Sequence, residues 1–466
     1  MSARMKTILR VAILFAALLL VPGGYGQDPT PSPTPATIEA VATNGQGSNE
    51  SAAKTATASP APSPEPDVWH QEEMTGDWGG TRSRWKEKGV ELEFKLTHFF
   101  QGVAAGGVRH DSEFNGKFQT ITKFDLGKIA GWKWWSAEVR TETRFGDPLL
   151  GGTGTINPTN TAMMIPAAAG NIFSVTALNF TRLIPLDLKK GNLLAISFGR
   201  YNLVDLADED FFSGGGTERF MNIAPIGPLT VLRQVPLITN AATFAYIRHG
   251  EPFFTFAVMD TNDHSTTTGI PDLFKDGVTF SPGMNFSKKY FGKTAKHSFG
   301  GAITTKAYTP FDAIRQVIIP GPPVNPIQPR RGSWSVNYVF RQYLVERGKR
   351  DGWGFFSQVS FADKATSPIT TFFNAGLGGN GLFKRRSADE FGIEYAYTDL
   401  SKVLKNNIDL LTQAGRRPRP EHQVEMFYNL HITPWLRLTG DLQIIRPTRT
   451  IANTTVIPGV RLEMIF

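Results

Sequence analysis

Residues 137–145 read Ala-Glu-Val-Arg-Thr-Glu-Thr-Arg-Phe, so Glu138, Arg140, Glu142 and Arg144 recur at every second position. A period of two places all four on one face of an extended strand, with Ala137, Val139, Thr141, Thr143 and Phe145 on the other. Alternating guanidinium and carboxylate groups offer both donors and acceptors. Such a row can brace a wall as a ladder of ion pairs. It can equally present its groups to the hydroxyls of a passing solute and screen ions by charge. Neither role is a reaction. The signatures of hydrolytic chemistry are absent: there is no Gly-x-Ser-x-Gly and no His-Glu-x-x-His, and with no cysteine and eight scattered histidines no metal-ligand spacing appears. No catalytic group, metal or cofactor is expected.

Four charges in a row cannot face hydrocarbon, where an arginine at the bilayer centre costs roughly 2 to 4 kcal/mol, so a strand of this kind in a membrane turns them toward water. The end of the chain repeats the two-faced pattern. In residues 421–433, Val424, Met426, Tyr428, Leu430 and Ile432 oppose Gln423, Glu425, Phe427, Asn429 and His431. In residues 435–445, Leu436, Leu438, Leu442 and Ile444 oppose Arg437, Thr439, Asp441 and Gln443. In residues 458–466, Val460, Leu462, Met464 and Phe466 oppose Arg461, Glu463 and Ile465. Segments of about ten residues suit tilted strands that cross a bilayer, although a soluble β-sandwich also alternates. The same parity puts Lys95, Arg341, Glu394, Glu425, Arg437, Asp441 and Gln443 on the wet face.

Further strand candidates are residues 90–100, 117–126, 133–145, 172–182, 193–201, 242–249, 253–260, 277–286, 299–308, 333–345, 354–362, 369–377 and 390–398. Short turns at 189–192, 249–252 and 347–352 alternate with long Gly/Pro-rich loops at 147–170, 203–240 and 309–331. Short turns on one rim and long loops on the other describe an all-β transmembrane antiparallel barrel, here of about 16 strands. A helix of about two turns is expected after Thr81, capped by that residue and ended by Gly89. Trp132, Trp134 and Trp135, at the head of the arginine strand, fit an interfacial girdle.

Residues 1–26 carry basic Arg4, Lys6 and Arg10, an apolar core over 11–21 and small residues Gly24 and Gly26, which predicts a signal peptide. Residues 27–68 are a Pro/Ser/Thr/Ala-rich linker, read as a disordered leader or as a tether to the cell wall. Residues 69–466 form the barrel domain. A mean hydropathy of -0.19 is ordinary for a barrel whose strands alternate lipid-facing and lumen-facing side chains. The net charge of +8 is spread among acids with no basic run, so no nucleic-acid partner is expected.

Gly76-Asp-Trp-Gly-Gly-Thr-Arg82, followed by Gly89-Val90, resembles the opening motif of the carbohydrate-selective porins of the OprB family. The close is similar too: Glu425-Met-Phe-Tyr-Asn429, then Trp435 to Pro447 with Asp441, Gln443 and Ile445, then Val456-Ile-Pro-Gly-Val-Arg-Leu462 and a terminal Phe466. Gly376-Leu-Gly-Gly-Asn-Gly381 matches Gly-x-Gly-x-x-Gly but lacks the helix that a dinucleotide site needs. It resembles the family's glycine-rich turn before an Arg-x-x-Asp pattern, here Arg386 and Asp389. The resemblance implies a porin in the outer membrane of a Gram-negative bacterium, passing small carbohydrates down their gradient. It implies outer-membrane lipid and the barrel-assembly machinery, through the Phe466 strand, as partners, and a monomer or homotrimer. A barrel plugged by its own loops, tied to the wall by its leader, is the alternative. Asp205, Asp208, Glu209 and Asp210 form an acidic loop cluster without the spacing of a calcium loop. Asp260, Asp263 and His264 would suit a surface hydrolase only if a nucleophile motif accompanied them.

Overall fold

The computed structural model describes residues 67–149, 151–165, 170–204, 210–313, 328–412 and 417–466. The expected signal peptide, nearly all of the leader, Asp205, Asp208, Glu209 and most of the 309–331 loop lie outside the described residues.

Alternating segments become strands because each can bury one face and present the other to hydrocarbon. Sixteen long strands follow one another: β1 (Val90–Gly102), β2 (Ser112–Asp125), β3 (Trp135–Phe145), β4 (Ile172–Asp187), β5 (Asn192–Asn202), β6 (Ile238–Arg248), β7 (Glu251–Asp260), β8 (Val278–Tyr290), β9 (Lys293–Tyr308), β10 (Arg330–Gly348), β11 (Asp351–Ala362), β12 (Ile369–Asn380), β13 (Glu390–Leu400), β14 (Glu421–His431), β15 (Leu436–Arg446) and β16 (Asn453–Ile465). Each pairs antiparallel with its neighbours in sequence. The ring closes where β1 meets β16, with Lys95 opposite Ile465 and Gln101 opposite Gly459. Closure satisfies the backbone of both terminal strands, which an apolar medium demands. A three-residue strand, Ala105–Gly107, extends the seam by pairing with the start of β16.

Large apolar side chains such as Phe114, Phe173, Phe198, Phe254 and Phe299 stand exposed on the outer surface. The inner face carries Lys117, Gln119, Arg140, Glu394, Gln423 and Arg461, all buried. Short turns and long loops fall on opposite rims, as the spacing predicts.

The opening helix α1 spans Thr81–Glu87, but its cap differs from expectation. Gly80, at φ 81°, is the N-cap and makes no side-chain bond, while Thr81 is already helical. Asp77 compensates from outside the helix, its Oδ1 accepting the Ser83 N–H at 2.7 Å. Among the described residues two further α-helices lie between strands: α2 (Leu126–Ala130), whose Asp125 cap accepts from the N–H groups of Gly127 and Lys128, and α3 (Lys402–Thr412).

Both ends of the described chain meet at the β1–β16 seam. Arg82 donates to the Phe466 carbonyl oxygen at 2.6 Å and to Gly76 O at 3.3 Å, pairs with Glu73 at 3.3 Å, and lies 4.6 Å from the Trp78 ring centre. The Met74 N–H donates to Ile465 O at 2.8 Å, and Trp435 Nε1 donates to Val68 O at 2.6 Å. The opening motif and the terminal Phe are therefore one clasp. Arg82→Ala should lower barrel stability by about 2 to 3 kcal/mol, since it strands charged and carbonyl partners of a buried cation. Heat-dependent gel mobility would read the loss, and Arg82→Lys should recover only part of it because lysine lacks the planar fork.

Candidate functional site

A ring of sixteen strands is too wide for its own side chains to fill, so what occupies its middle decides what passes. Among the described residues two loops from the long-loop rim turn inward: residues 151–165 and residues 210–237. Each is fastened to the polar inner face by hydrogen bonds between residues far apart in sequence.

The longer loop descends to the short-turn rim, where Asp210 meets Arg350 at 3.2 Å and Lys296 at 3.5 Å. It then reverses at Ser213, Gly214, Gly215 and Gly216, all at positive φ. Gly216 must be glycine here, because a Cβ would sit 2.7 Å from Ala162 N on the other loop. Past the turn, Glu218 pairs with Lys95 at 3.0 Å and Arg219 with Glu390 at 3.2 Å. Glu425 accepts the N–H groups of Met221 and Asn222 at 2.6 and 3.1 Å. On the way back up, Asn374 donates to Ala224 O at 3.3 Å, and Gln234 donates to the hydroxyls of Ser333 and Ser367, both at 2.8 Å.

The shorter loop is held higher. Glu421 accepts the N–H groups of Ile156 and Asn157, both at 2.9 Å. Gln443 and Gln101 donate to Thr159 O at 2.8 and 3.2 Å, and Arg144 donates to Met163 O.

The interior is not purely polar. Phe211, Phe212 and Phe220 of the long loop pack with inward Val339, Tyr343, Phe356 and Phe427 in one buried cluster. Phe99 packs with Ala162, Met163 and Met221 in another. Glycines make the room. A Cβ on Gly392 would lie 2.5 Å from ring atoms of both Phe220 and Phe427, and one on Gly378 would lie 2.4 Å from Phe211 O. The Gly-x-Gly-x-x-Gly run thus ends a strand whose inner face receives loop aromatics. Among the described residues no group of three His, Cys, Asp or Glu is placed to hold a metal. Asp260, Asp263 and His264 are engaged in their own loop: Asp260 accepts the Phe274 N–H, Asp263 accepts those of Ile238 and Ser265, and His264 Nε2 lies 3.5 Å from Asp260.

All eleven residues singled out by parity fall on strands, at positions consistent with the inner face. Glu138, Arg140, Glu142 and Arg144 share one face of β3, with Glu138 and Arg140 3.3 Å apart and Arg140 fully buried. Lys95 bridges Glu93 at 2.9 Å and Glu218. Arg437 pairs with Glu463 at 3.1 Å. Glu394 lies opposite Glu425 and accepts from Gln423 at 2.9 Å and Asn374 at 3.2 Å. Asp441 accepts from Gln443 Nε2 at 3.1 Å, and Gln443 in turn accepts from Asn222 Nδ2 at 3.1 Å. Arg341, on β10, lies opposite Lys296.

A family model described as carbohydrate-selective porin, OprB family, matches residues 109–466. The chain belongs to that family. It is 25% identical over 444 residues to Porin B of Pseudomonas aeruginosa, covering 84% of this chain and 91% of the relative. Its fold is similar to that of Pseudomonas putida OprB. The high-pH structure of that protein gives a TM-score of 0.72 at 21% identity over 86% of this chain and 100% of that one, and the low-pH structure 0.51 at 16% over 85% and 99%. OprB-family membership and a closed barrel place the protein in the outer membrane of a Gram-negative bacterium and imply a channel rather than an enzyme.

The motifs that carry the family resemblance have structural roles in this OprB-family barrel. Arg386 and Asp389 pair at 2.7 Å on the short-turn rim, and Asp389 also accepts from Tyr428 at 2.6 Å and from the His431 N–H at 3.0 Å. Arg461 was legible as an inward residue of the last strand but not as a site residue. It donates to Gly216 O at 3.1 Å, Arg219 O at 2.7 Å, Glu218 O at 2.7 Å and Thr439 Oγ1 at 2.9 Å. Glu218, Arg219 and Asn222 carried no signal in the sequence, because loop residues have no period from which to read a direction.

Proposed function

We propose that the protein is a passive diffusion channel for small carbohydrates, with the space between the two inward loops and the charged wall as the path. The observation that carries this reading is the pair of loops fastened by side chains across the bore of a closed barrel. Porins narrow a wide ring in this manner and leave polar groups to handle solute. In this reading Lys95, Glu138, Arg140, Glu142, Arg144, Arg341 and Arg437 set the field that solute experiences. Glu394, Glu425, Asp441 and Gln443 hold the loop that shapes the bore. No energy source is involved, and weak contacts at several sites let a sugar both enter and leave. Liposome swelling in glucose is the test: permeability no higher than that of empty vesicles ends the proposal. For the wall charges, Arg140→Ala combined with Arg144→Ala should shift ion selectivity toward cations, and an unchanged reversal potential in planar bilayers would contradict the assignment.

One observation favours a second, tethering role. Val68 and Met74 are bonded to Trp435 and Ile465, so these residues lie at the short-turn rim, which in such barrels faces the periplasm. An extended Pro-rich segment of the leader's length reaches on the order of 100 Å, enough to meet the cell wall. Loss of cell-wall association after deleting residues 27–66, with swelling rates intact, would separate the two roles. The Phe466 strand is the part we assign to recognition by the barrel-assembly machinery.

A further inference from the structure

The β8–β9 hairpin carries an aromatic residue where turn geometry disfavours one. Tyr290 pairs with Lys293 across the two-residue turn Phe291–Gly292, and both turn residues have positive φ, 53° and 74°. Such turns favour Asn or Gly at the first position, since most L-residues avoid the left-handed region. Phe291 is also 100% exposed to the surroundings of the isolated barrel. A bulky apolar side chain in a disfavoured conformation, fully uncovered, gains nothing from the fold of its own chain.

Its neighbours define where it sits. On the outer face of the hairpin, Phe280, Met284 and Phe299 continue the apolar band. Below them, His297 stacks on Phe286 with ring centres 4.8 Å apart and bonds Tyr290 at 3.2 Å and Tyr338 at 2.8 Å. Aromatic rings with polar tips mark the level where hydrocarbon gives way to headgroups. Lys288 lies 5.9 Å from the Phe286 ring centre, and Lys288 shares the outward face with Tyr290 and Lys293. The two carboxylates beside the hairpin are engaged: Glu251 by Ser287 at 2.9 Å and Lys296 at 3.4 Å, and Glu346 by the Thr294 N–H and hydroxyl at 2.8 and 2.6 Å. Among the described residues neither Lys288 nor Lys293 lies within 4 Å of a carboxylate, and Lys293 is within longer electrostatic reach of Glu346.

We propose that this outward face binds an anionic glycerophospholipid of the periplasmic leaflet, its phosphate received by Lys288 and Lys293 and the outer side of its headgroup covered by Phe291. The leaflet follows from the short-turn rim facing the periplasm; the charge preference follows from two lysines at headgroup level, neither in close contact with a carboxylate. The full-length protein, purified in zwitterionic detergent, would be offered phosphatidylglycerol or phosphatidylcholine, and bound lipid counted by native mass spectrometry. The wild type should retain phosphatidylglycerol preferentially, and K288Q/K293Q should bind it about thirtyfold more weakly, from the surface attraction of two basic groups. Phe291→Asn, which suits the turn, should keep the fold and lower retention of both lipids alike. Three results would overturn the proposal: equal retention of the two lipids by the wild type, an undiminished preference in K288Q/K293Q, or tighter binding of lipid A than of phosphatidylglycerol. A lysine-dependent cosedimentation with purified peptidoglycan, with phosphatidylglycerol retention unchanged, would overturn it in favour of a wall polymer. Glucose-driven swelling is expected to be the same for all these variants, so failure here is distinct from failure of the channel reading.

Discussion

Excising residues 211–224 and joining the ends with a short glycine linker should raise single-channel conductance about threefold, because an unobstructed ring of this size is a wide aqueous bore. The barrel itself should survive. Its sixteen strands are paired all round without help from the loop, and the β1–β16 closure involves no loop residue. What the loop supplies is occlusion: Phe211, Phe212 and Phe220 fill space against Phe356 and Phe427, and Glu218 to Asn222 cross to β1, β14 and β16. Planar-bilayer recordings with a sugar panel would then show weaker discrimination between sugars as well as larger currents. An unchanged conductance in a barrel that is folded by gel mobility would mean that solute never travels on the side the loop occupies.

Arg461→Met should release the same loop without removing it. The substitution keeps an unbranched apolar stem but deletes a fully buried cation whose guanidinium serves three loop carbonyls and Thr439. Stranding buried acceptors and the nearby Glu463 costs about 3 to 5 kcal/mol, which is large beside the docking energy of one loop. Trypsin offers a direct readout, since Arg219 is enclosed in the wild type by Glu390 and the wall. Cleavage after Arg219 should accelerate by at least tenfold in vesicle-inserted protein, and the open channel should become noisier. Resistance equal to wild type would show that Arg461 is not what holds the turn. Arg461→Lys should be intermediate, because one ammonium cannot reach all four acceptors with the geometry of the fork.

Much of this molecule was written in its alternation. A two-residue period is local, so each strand announced its own length and faces, and parity alone turned Glu138, Arg140, Glu142, Arg144, Glu425 and Gln443 inward. The count of about sixteen followed from summing those segments, and the two-ended family motif followed from residues that proved to touch through Arg82 and Phe466. The helix cap was misassigned because Gly80 in a left-handed conformation does by backbone geometry what a Thr81 hydroxyl was expected to do.

The sequence by itself therefore determined the wall: which residues extend, which way each points, and that the ring must close. Only the tertiary structure decided the bore. The bonds that place Asn222 on Glu425, Gly216 beneath Arg461 and Phe220 against Gly392 join residues far apart in the chain. Loops carry no period, so their direction is set by which buried acceptors and glycine gaps the finished wall presents, and those exist only once all the strands have come together.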